Sequence, residues 1–342
     1  MHRCRSRSPA TAARAMACLC TAAVVSALAW PPLVAFAAPA PQVSARVPSS
    51  QQRLASARLQ TALATANFSP GLVDGRPGRK TRMAIEAFQA ASGLEVTGVP
   101  DTPTRAALKL PESARDDATL DGWTTTYTIT QADADLITGP IPTDWNQRAE
   151  LALSGYEHLR ELLAERGWCH PDLLPLLNPG VDLDAVTVGD NVVLPASAAT
   201  AVPLPRLARL RVHLAEKTIE GYDDQGRQRL LLHCSIARDM EKAPVGELAV
   251  TVVAENPEYT FNPASWPEVT NVDRKLRIAP GPRNPVGTAW VGLNRPGYGI
   301  HGTVRPQDIG KTGSHGCFRL ANWDASRLAR AVRIGTVVVV EP

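Results

Sequence analysis

The chain has 342 residues, long enough for two or three domains that each bury a core. Its formal charge is +3, from 36 basic and 33 acidic residues, but four of the arginines crowd the first 14 positions. Setting aside that leader leaves −1, so no basic footprint for nucleic acid remains, and no stretch beyond the leader is apolar enough to span a membrane.

The leader itself reads as an export signal. Arg3, Arg5, Arg7 and Arg14 come without an acidic residue, Met16-Ala-Cys-Leu-Cys-Thr-Ala-Ala-Val-Val-Ser-Ala-Leu-Ala-Trp follows, and Ala35-Phe-Ala-Ala38 supplies small residues for cleavage. The apolar run, about 15 residues, ends at Pro31-Pro32 and is shorter than the roughly 20 that a span needs. Residues 1–38 are therefore expected to be a signal peptide, leaving no stable transmembrane anchor and placing the mature chain in the periplasm or cell envelope. Three cysteines remain after it, Cys169, Cys234 and Cys317. An odd number in an oxidising compartment points to one deliberate thiol. Cys169 and Cys234 read as small buried apolar residues, with a disulfide between them as the alternative.

Residues 39–50, rich in Pro, Ala and Ser, read as a linker. Residues 51–112 read as a compact helical domain: Arg53 to Ala66, then Thr81 to Ala91 with Thr81 as N-cap, then Thr102 to Leu110. Leu54, Ala57, Leu59, Ala62 and Leu63 line the first helix, and Ala84, Ile85 and Phe88 face one side of the second. The order L-Q-x-x-L, then Asp74-Gly75-x-x-Gly78-x-x-Thr81-x-x-Ala84-x-x-x-Phe88-Gln89, then G-L-x-x-x-G resembles the three-helix peptidoglycan-binding domain. Each residue also has an ordinary structural use: glycines for turns, Phe88 for the core, Gln89 for a local hydrogen bond.

Residues 113–148 form a polar connector whose Trp123, Tyr127 and Trp145 are expected to pack on a neighbouring domain rather than stack on sugar. Residues 149–196 carry a helix from Tyr156, a shorter one ending Leu177-Asn-Pro-Gly180, and Val188-Gly-Asp190 leading to an apolar strand. This resembles a degenerate LysM-like module without a clean opening strand, a fold that binds N-acetylglucosamine chains; docking is the competing role. His158 and His170 read as surface residues. Residues 197–207 are a second linker.

From 208 to 342 the rhythm turns to strands: Arg209 to Leu214, Lys217 to Tyr222, Gln228 to Ile236, Glu247 to Ala254, Thr288 to Leu293 and Thr336 to Val340. One helix, Asn322 to Val332, capped by Asn322, completes a mainly-β catalytic domain. The fold class is thus multidomain α+β. A Pro- and Asn-rich excursion between Glu255 and Gly287, carrying Tyr259, Phe261 and Trp266, is expected to wall the groove beside Cys317.

The chemistry lies between Tyr298 and Leu320, in Y-G-I-H-G-T-V-R-P-Q-D-I-G-K-T-G-S-H-G-C-F-R-L. Glycine density and weak periodicity mark an active-site loop. A thiol is mostly protonated near neutrality, so a nucleophilic Cys317 needs a neighbouring base, and His301 and His315 are the candidates. Spacing does not choose between them. Gly316 clears room for a carbonyl, and the amides of Gly316 and Cys317 suit an oxyanion hole. Arg319 is placed to fork onto a carboxylate. Three thiol and imidazole candidates fall one short of a structural zinc site, and H-x-C lacks a second pair, so no metal or other cofactor is expected.

His301-Gly302 followed by Ser314-His315-Gly316-Cys317-Phe318-Arg319 resembles the signature of the L,D-transpeptidase (YkuD-domain) family, supported upstream by Ala243-Pro-Val-Gly and Asn284-Pro-Val-Gly-Thr. The resemblance spans about Arg209 to Pro342. It implies Cys317 as nucleophile, His301 as proton donor and acceptor oriented by the Gly302 carbonyl, and amides around His315, Gly316 and Cys317 holding the oxyanion. Arg319, where part of the family has Asn, would bind substrate together with Ser314 and Tyr298. The implied reaction takes a peptidoglycan tetrapeptide stem, releases D-alanine through a thioester, and passes the acyl group to an amine as a 3-3 cross-link. Water as acceptor would make a carboxypeptidase, and an envelope lipoprotein as acceptor an anchoring enzyme. A non-catalytic envelope-binding protein is the alternative from another class. Sortases and NlpC-type peptidases differ in the gap or the order of His and Cys. Stem peptides and glycan strands are the expected partners.

Overall fold

The computed structural model describes residues 49–342 apart from 113–117, 267, 312 and 314–315. The signal expected at 1–38, all but the end of the linker expected at 39–50, and the candidate residues Ser314 and His315 lie outside the described residues. The described residues all belong to one compact unit.

Three helices open it, α1 (Ser50–Thr65), α2 (Arg79–Ala91) and α3 (Thr102–Ala107). Ser49 and Gln52 close a capping box on α1, and Asp101 caps α3 through the amide of Thr104. Thr81 does not cap α2: the helix starts two residues earlier, behind Gly78, and Thr81 is buried with its hydroxyl accepting from Gln60 Nε2 at 3.2 Å. Phe68 meets Phe88 edge to face at 5.6 Å, and Gln89, fully buried, donates to Thr97 and Thr104 and accepts from the Gly98 amide. The local hydrogen bond expected of Gln89 is therefore the joint of the domain.

Next come β1 (Thr124–Thr128), α4 (Gln131–Ala134), α5 (Trp145–Ala149), α6 (Leu159–Arg166), α7 (Leu174–Leu177), β2 (Asn191–Pro195) and α8 (Ser197–Thr200). β1 pairs antiparallel with β2, Thr124 opposite Pro195. The segment expected to be a connector therefore supplies the opening strand that the following module was expected to lack. Trp123 is buried, and Trp145 stacks on Phe261 at 4.1 Å, so both pack against protein.

The largest sheet runs through β3 (Arg209–His213), β4 (Thr218–Tyr222), β5 (Gln228–His233) and β6 (Gly246–Glu255). The excursion after β6 is not irregular throughout: β7 (Tyr259–Phe261) and β8 (Leu276–Ile278) form a hairpin over an aromatic cluster of Trp145, Phe261 and Trp266. β9 (Ala289–Leu293), β10 (Gly299–His301), β11 (Phe318–Arg319), α9 (Asn322–Ala331) and β12 (Val337–Glu341) follow. The eight strands are ordered β11-β10-β9-β6-β12-β3-β4-β5, and α9 packs on β6 and β9. Alternation builds the core: Leu210 and Val212 of β3 and Val338 and Val340 of β12 point inward beside Leu328 of α9. Asn322 opens α9 but is not its cap. That place is held by Ala321, while the Asn322 amide donates to Pro282 O at 3.1 Å and Glu165 at 3.2 Å and accepts from Thr288 N.

Two seams join the preceding modules to this sheet. Ser69 N donates to Leu231 O at 2.8 Å and Leu231 N to Asn67 O at 3.0 Å, so the first domain occupies the open edge of β5. Arg283 bridges Glu157 at 2.8 Å and Glu161 at 3.2 Å, and Ser154 N donates to Pro280 O. Cys169 and Cys234 are buried thiols that form no disulfide; burial raises both pKa values, that of Cys234 to about 12. Among the described residues no helix is long and apolar enough to cross a membrane.

Candidate active site

β10 and β11 close the end of the sheet opposite β5. They run parallel, with Ile300 beside Phe318 and His301 beside Arg319. Ile300 and Phe318 point into the core. Side chains alternate, so His301 and Arg319 share the other face, and Cys317, immediately before β11, continues on it. Cys317 thus lies one strand over and two residues along from His301.

His301 is buried, and its ring stacks on Trp290 of β9, its register partner, at 5.6 Å between centroids. Nδ1 lies 2.6 Å from Gly302 O. A carbonyl only accepts, so Nδ1 carries the proton and Nε2 is left as the basic nitrogen of the neutral ring. Burial, with a smaller push from the Arg319 charge, lowers the His301 pKa to about 4. Gly302 itself is crowded: Cβ at this position would sit 3.1 Å from Gly287 Cα and run into the Asn322 amide. The Asn284-Pro-Val-Gly287 turn and Asn322 therefore lock the carbonyl that orients the ring.

Cys317 is half-buried, and its thiol donates to Gly297 O at 3.3 Å. Burial raises its pKa, opposed by a backbone hydrogen bond from Gly299 and by the positive charge of Arg319. Both shifts favour the uncharged forms near neutral pH, a protonated thiol and a neutral imidazole.

Arg319 faces a cavity of about 240 Å³ that Ser235, Arg238, Thr303, Arg305 and Asp308 also line. Its strand is pinned by reciprocal backbone bonds with Ser235, each 2.9 Å. Tyr298 donates its hydroxyl to Lys242 O at 2.8 Å, lies under the Arg295 guanidinium at 4.4 Å, and presents its ring to Gly316. The Tyr298 hydroxyl is thus engaged with the protein, while the ring borders Gly316. Among the described residues no group of three or more His, Cys, Asp or Glu is arranged to hold a metal.

Three further residues bear on the site, of which sequence reasoning placed Tyr259 beside Cys317 and missed the other two. Tyr259 has its pKa raised by burial and also by the charge a Cys317 thiolate would carry, which puts the phenol of the β7–β8 hairpin within electrostatic reach of the sulfur. Arg238, on the segment after β5, adds a second guanidinium near Arg319 and lowers its pKa further beyond the effect of burial. Trp290 sits under His301. Tyr259 belongs to the excursion expected to wall the groove, Trp290 left a trace only as an aromatic in the strand-like run before Tyr298-Gly-Ile-His, and Arg238 left none.

Gly316 has φ of +153°, and Cβ there would lie 2.9 Å from the Tyr298 ring. Both facts demand glycine. Gly316→Ala is expected to lower kcat/KM about 100-fold and stability by about 1–3 kcal/mol; adding Tyr298→Ala should recover part of the stability but little activity, because the backbone strain remains. Thermal melts and steady-state kinetics on the two variants check this.

The L,D-transpeptidase catalytic domain family (YkuD) matches residues 208–340, and the peptidoglycan binding domain family matches residues 52–108. The L,D-transpeptidase YqjB of Bacillus subtilis (strain 168) is 39% identical over 103 residues, 28% of this chain and 51% of its own length. The L,D-transpeptidase YkuD of Bacillus licheniformis is 30% identical over 168 residues, 48% of this chain and 82% of its own length. The chain thus spans about half of the first relative and most of the second. Among solved structures, L,D-transpeptidase 3 from Mycobacterium tuberculosis in complex with a faropenem-derived adduct is 20% identical, with a TM-score of 0.33, over 40% of this chain and 61% of that one.

Proposed function

This chain belongs to the L,D-transpeptidase (YkuD) family, and from that premise we propose that it is an exported peptidoglycan L,D-transpeptidase with Cys317 as nucleophile and His301 as base. The observation that carries the reading is the Nδ1–H bond of His301 to Gly302 O, which leaves Nε2 basic on the face of the sheet that Cys317 continues.

His301 Nε2 takes the thiol proton as sulfur attacks the peptide carbonyl of a tetrapeptide stem. The resulting oxyanion meets the backbone N–H groups of Gly316 and Cys317, in a half-buried site where such donors act strongly. Collapse breaks the C–N bond, and the imidazolium returns its proton to the leaving D-alanine amine. A thioester remains on Cys317. An acceptor amine, deprotonated by the same imidazole, then attacks the thioester, and the thiol is regenerated. Arg319 and the neighbouring arginines suit the carboxylates of a stem peptide. The peptidoglycan-binding family match at 52–108 supports the wall as the place of work. The arginine-rich leader supports export.

Incubating the purified protein with a disaccharide tetrapeptide tests this. Mass spectrometry is expected to find released D-alanine, a covalent adduct on Cys317, and a cross-linked dimer. D-alanine release without dimer would assign water as acceptor, an adduct resolved only by a lipoprotein lysine would assign anchoring, and no release with an intact protein would overturn the reading.

A further inference from the structure

We propose that Lys80, on α2 of the first domain, is a positioning residue for the active-site loop between His301 and Cys317, so that the first domain is a working part of the catalytic centre. The proposal rests on Cys317 being the nucleophile.

Lys80 Nζ donates to Ile309 O at 2.7 Å, and Lys217 Nζ donates to the next carbonyl, Gly310 O, at 2.9 Å. Gly310 N donates to Ser235 Oγ at 2.9 Å. Two consecutive carbonyls are thus held by ammonium groups from two different domains, close to the midpoint of the loop. The loop needs such holding, because β11, into which it delivers Cys317, is a two-residue strand. Asp308, adjacent to the clamp, lines the Arg319 cavity and tempers the effect of burial on the Arg319 pKa, so displacing the clamp displaces a charge next to Arg319, whose own charge acts on Cys317.

Lys80 reaches the loop through a built passage. A Cβ at Gly71 would lie 3.1 Å from Lys80 Cδ, and one at Gly310, where φ is +79°, would lie 3.6 Å from Lys80 Cε. A Cβ at Gly71 would crowd the Lys80 stem, whereas at Gly310 it is the positive φ and not the space that favours glycine. Behind it, the His233 ring at the end of β5 donates from Nε2 to Lys80 O at 3.3 Å. Burial, followed by the charges of Lys311 and Lys217, lowers the Lys80 pKa, with the Asp74 carboxylate and a Cys234 thiolate acting in the opposite sense. An ammonium placed among two others and half removed from water is costly, and the carbonyl bond offsets that cost.

Lys80→Met keeps the stem and removes the donor. In the full-length chain it is expected to lower kcat about tenfold with KM within about twofold of wild type, and to change the rate of Cys317 alkylation by iodoacetamide at least threefold. Lys80→Arg should restore most of kcat. Arg82→Ala, on the exposed face of the same helix, should change neither quantity. Unchanged kcat and unchanged alkylation in a folded Lys80→Met protein would overturn the proposal. Should that variant not fold, Lys217→Met decides from inside the catalytic domain: a wild-type alkylation rate there would overturn the clamp. A wild-type protein without turnover on the tetrapeptide would refute the substrate assignment instead, and the alkylation arm would still decide the role of Lys80.

Discussion

Cys317→Ala is expected to abolish D-alanine release, with turnover falling by about 10⁴-fold or more, while the protein stays folded. Removing a nucleophile deletes the covalent route as a whole, so its effect is far larger than that of any single oxyanion donor. The substitution replaces a small half-buried thiol whose hydrogen bond to Gly297 O, at 3.3 Å, is a weak one, so the melting temperature should move little. Binding should survive as well, since the Arg319 cavity is untouched. Intact-mass measurement then finds no adduct, and titration with the tetrapeptide finds near wild-type affinity. Retained turnover in Cys317→Ala would remove the nucleophile from the mechanism.

Loss of His301 comes second, with kcat/KM expected to drop about 1,000-fold in His301→Ala, as for other positioned bases. Its protonation predicts the form of the pH profile. The lowered pKa, near 4, keeps the ring neutral and able to accept a proton throughout the range above about 5, so no acid limb near pH 6.5 should arise from it. The thiol, raised by burial, ionises only above its ordinary range, so alkylation of Cys317 by iodoacetamide should keep climbing with pH past 9. A plateau reached below pH 7 would mean a preformed thiolate–imidazolium pair and would contradict the resting state described above. The same ring has a stability consequence. Because its folded pKa lies below the ordinary 6.5, the unfolded chain takes up a proton first as pH falls, and His301 costs stability progressively from about 6.5 down to about 4. His233, lowered to about 3 by burial, adds to the same loss, extending it to about pH 3. His315→Ala, made in parallel, is expected to have a much smaller effect on turnover than His301→Ala.

The parts of this site legible in sequence were those encoded in local order. His301-Gly302 and the run through Gly316-Cys317-Phe318-Arg319 sit in consecutive positions, and alternation in Leu210, Val212, Val338 and Val340 exposed central strands of the sheet whose end carries them. What escaped was tertiary. The run Thr124-Thr-Thr-Tyr-Thr has no apolar alternation, because β1 belongs to a two-stranded sheet and is mostly solvated, so it read as connector. Thr81 and Asn322 look like helix caps by residue type, yet Gln60 claims the first, and Thr288, Pro282 and Glu165 claim the second. The resting protonation of Cys317 and His301 depends on how much water reaches them, which no spacing encodes. Lys80 was equally invisible: its partner is a carbonyl 229 residues away.

The strand-edge contact made by Asn67 and Ser69 on Leu231 has a mechanical corollary. A module hung on a slack tether would let the enzyme roam around whatever it grips; one stitched into the end of the sheet cannot. Anything the first domain held would be held at a set offset from the sulfur, so in the proposed reaction the molecule would act as a ruler rather than a leash, with the spacing of its bonds along a polymer dictated by its own dimensions.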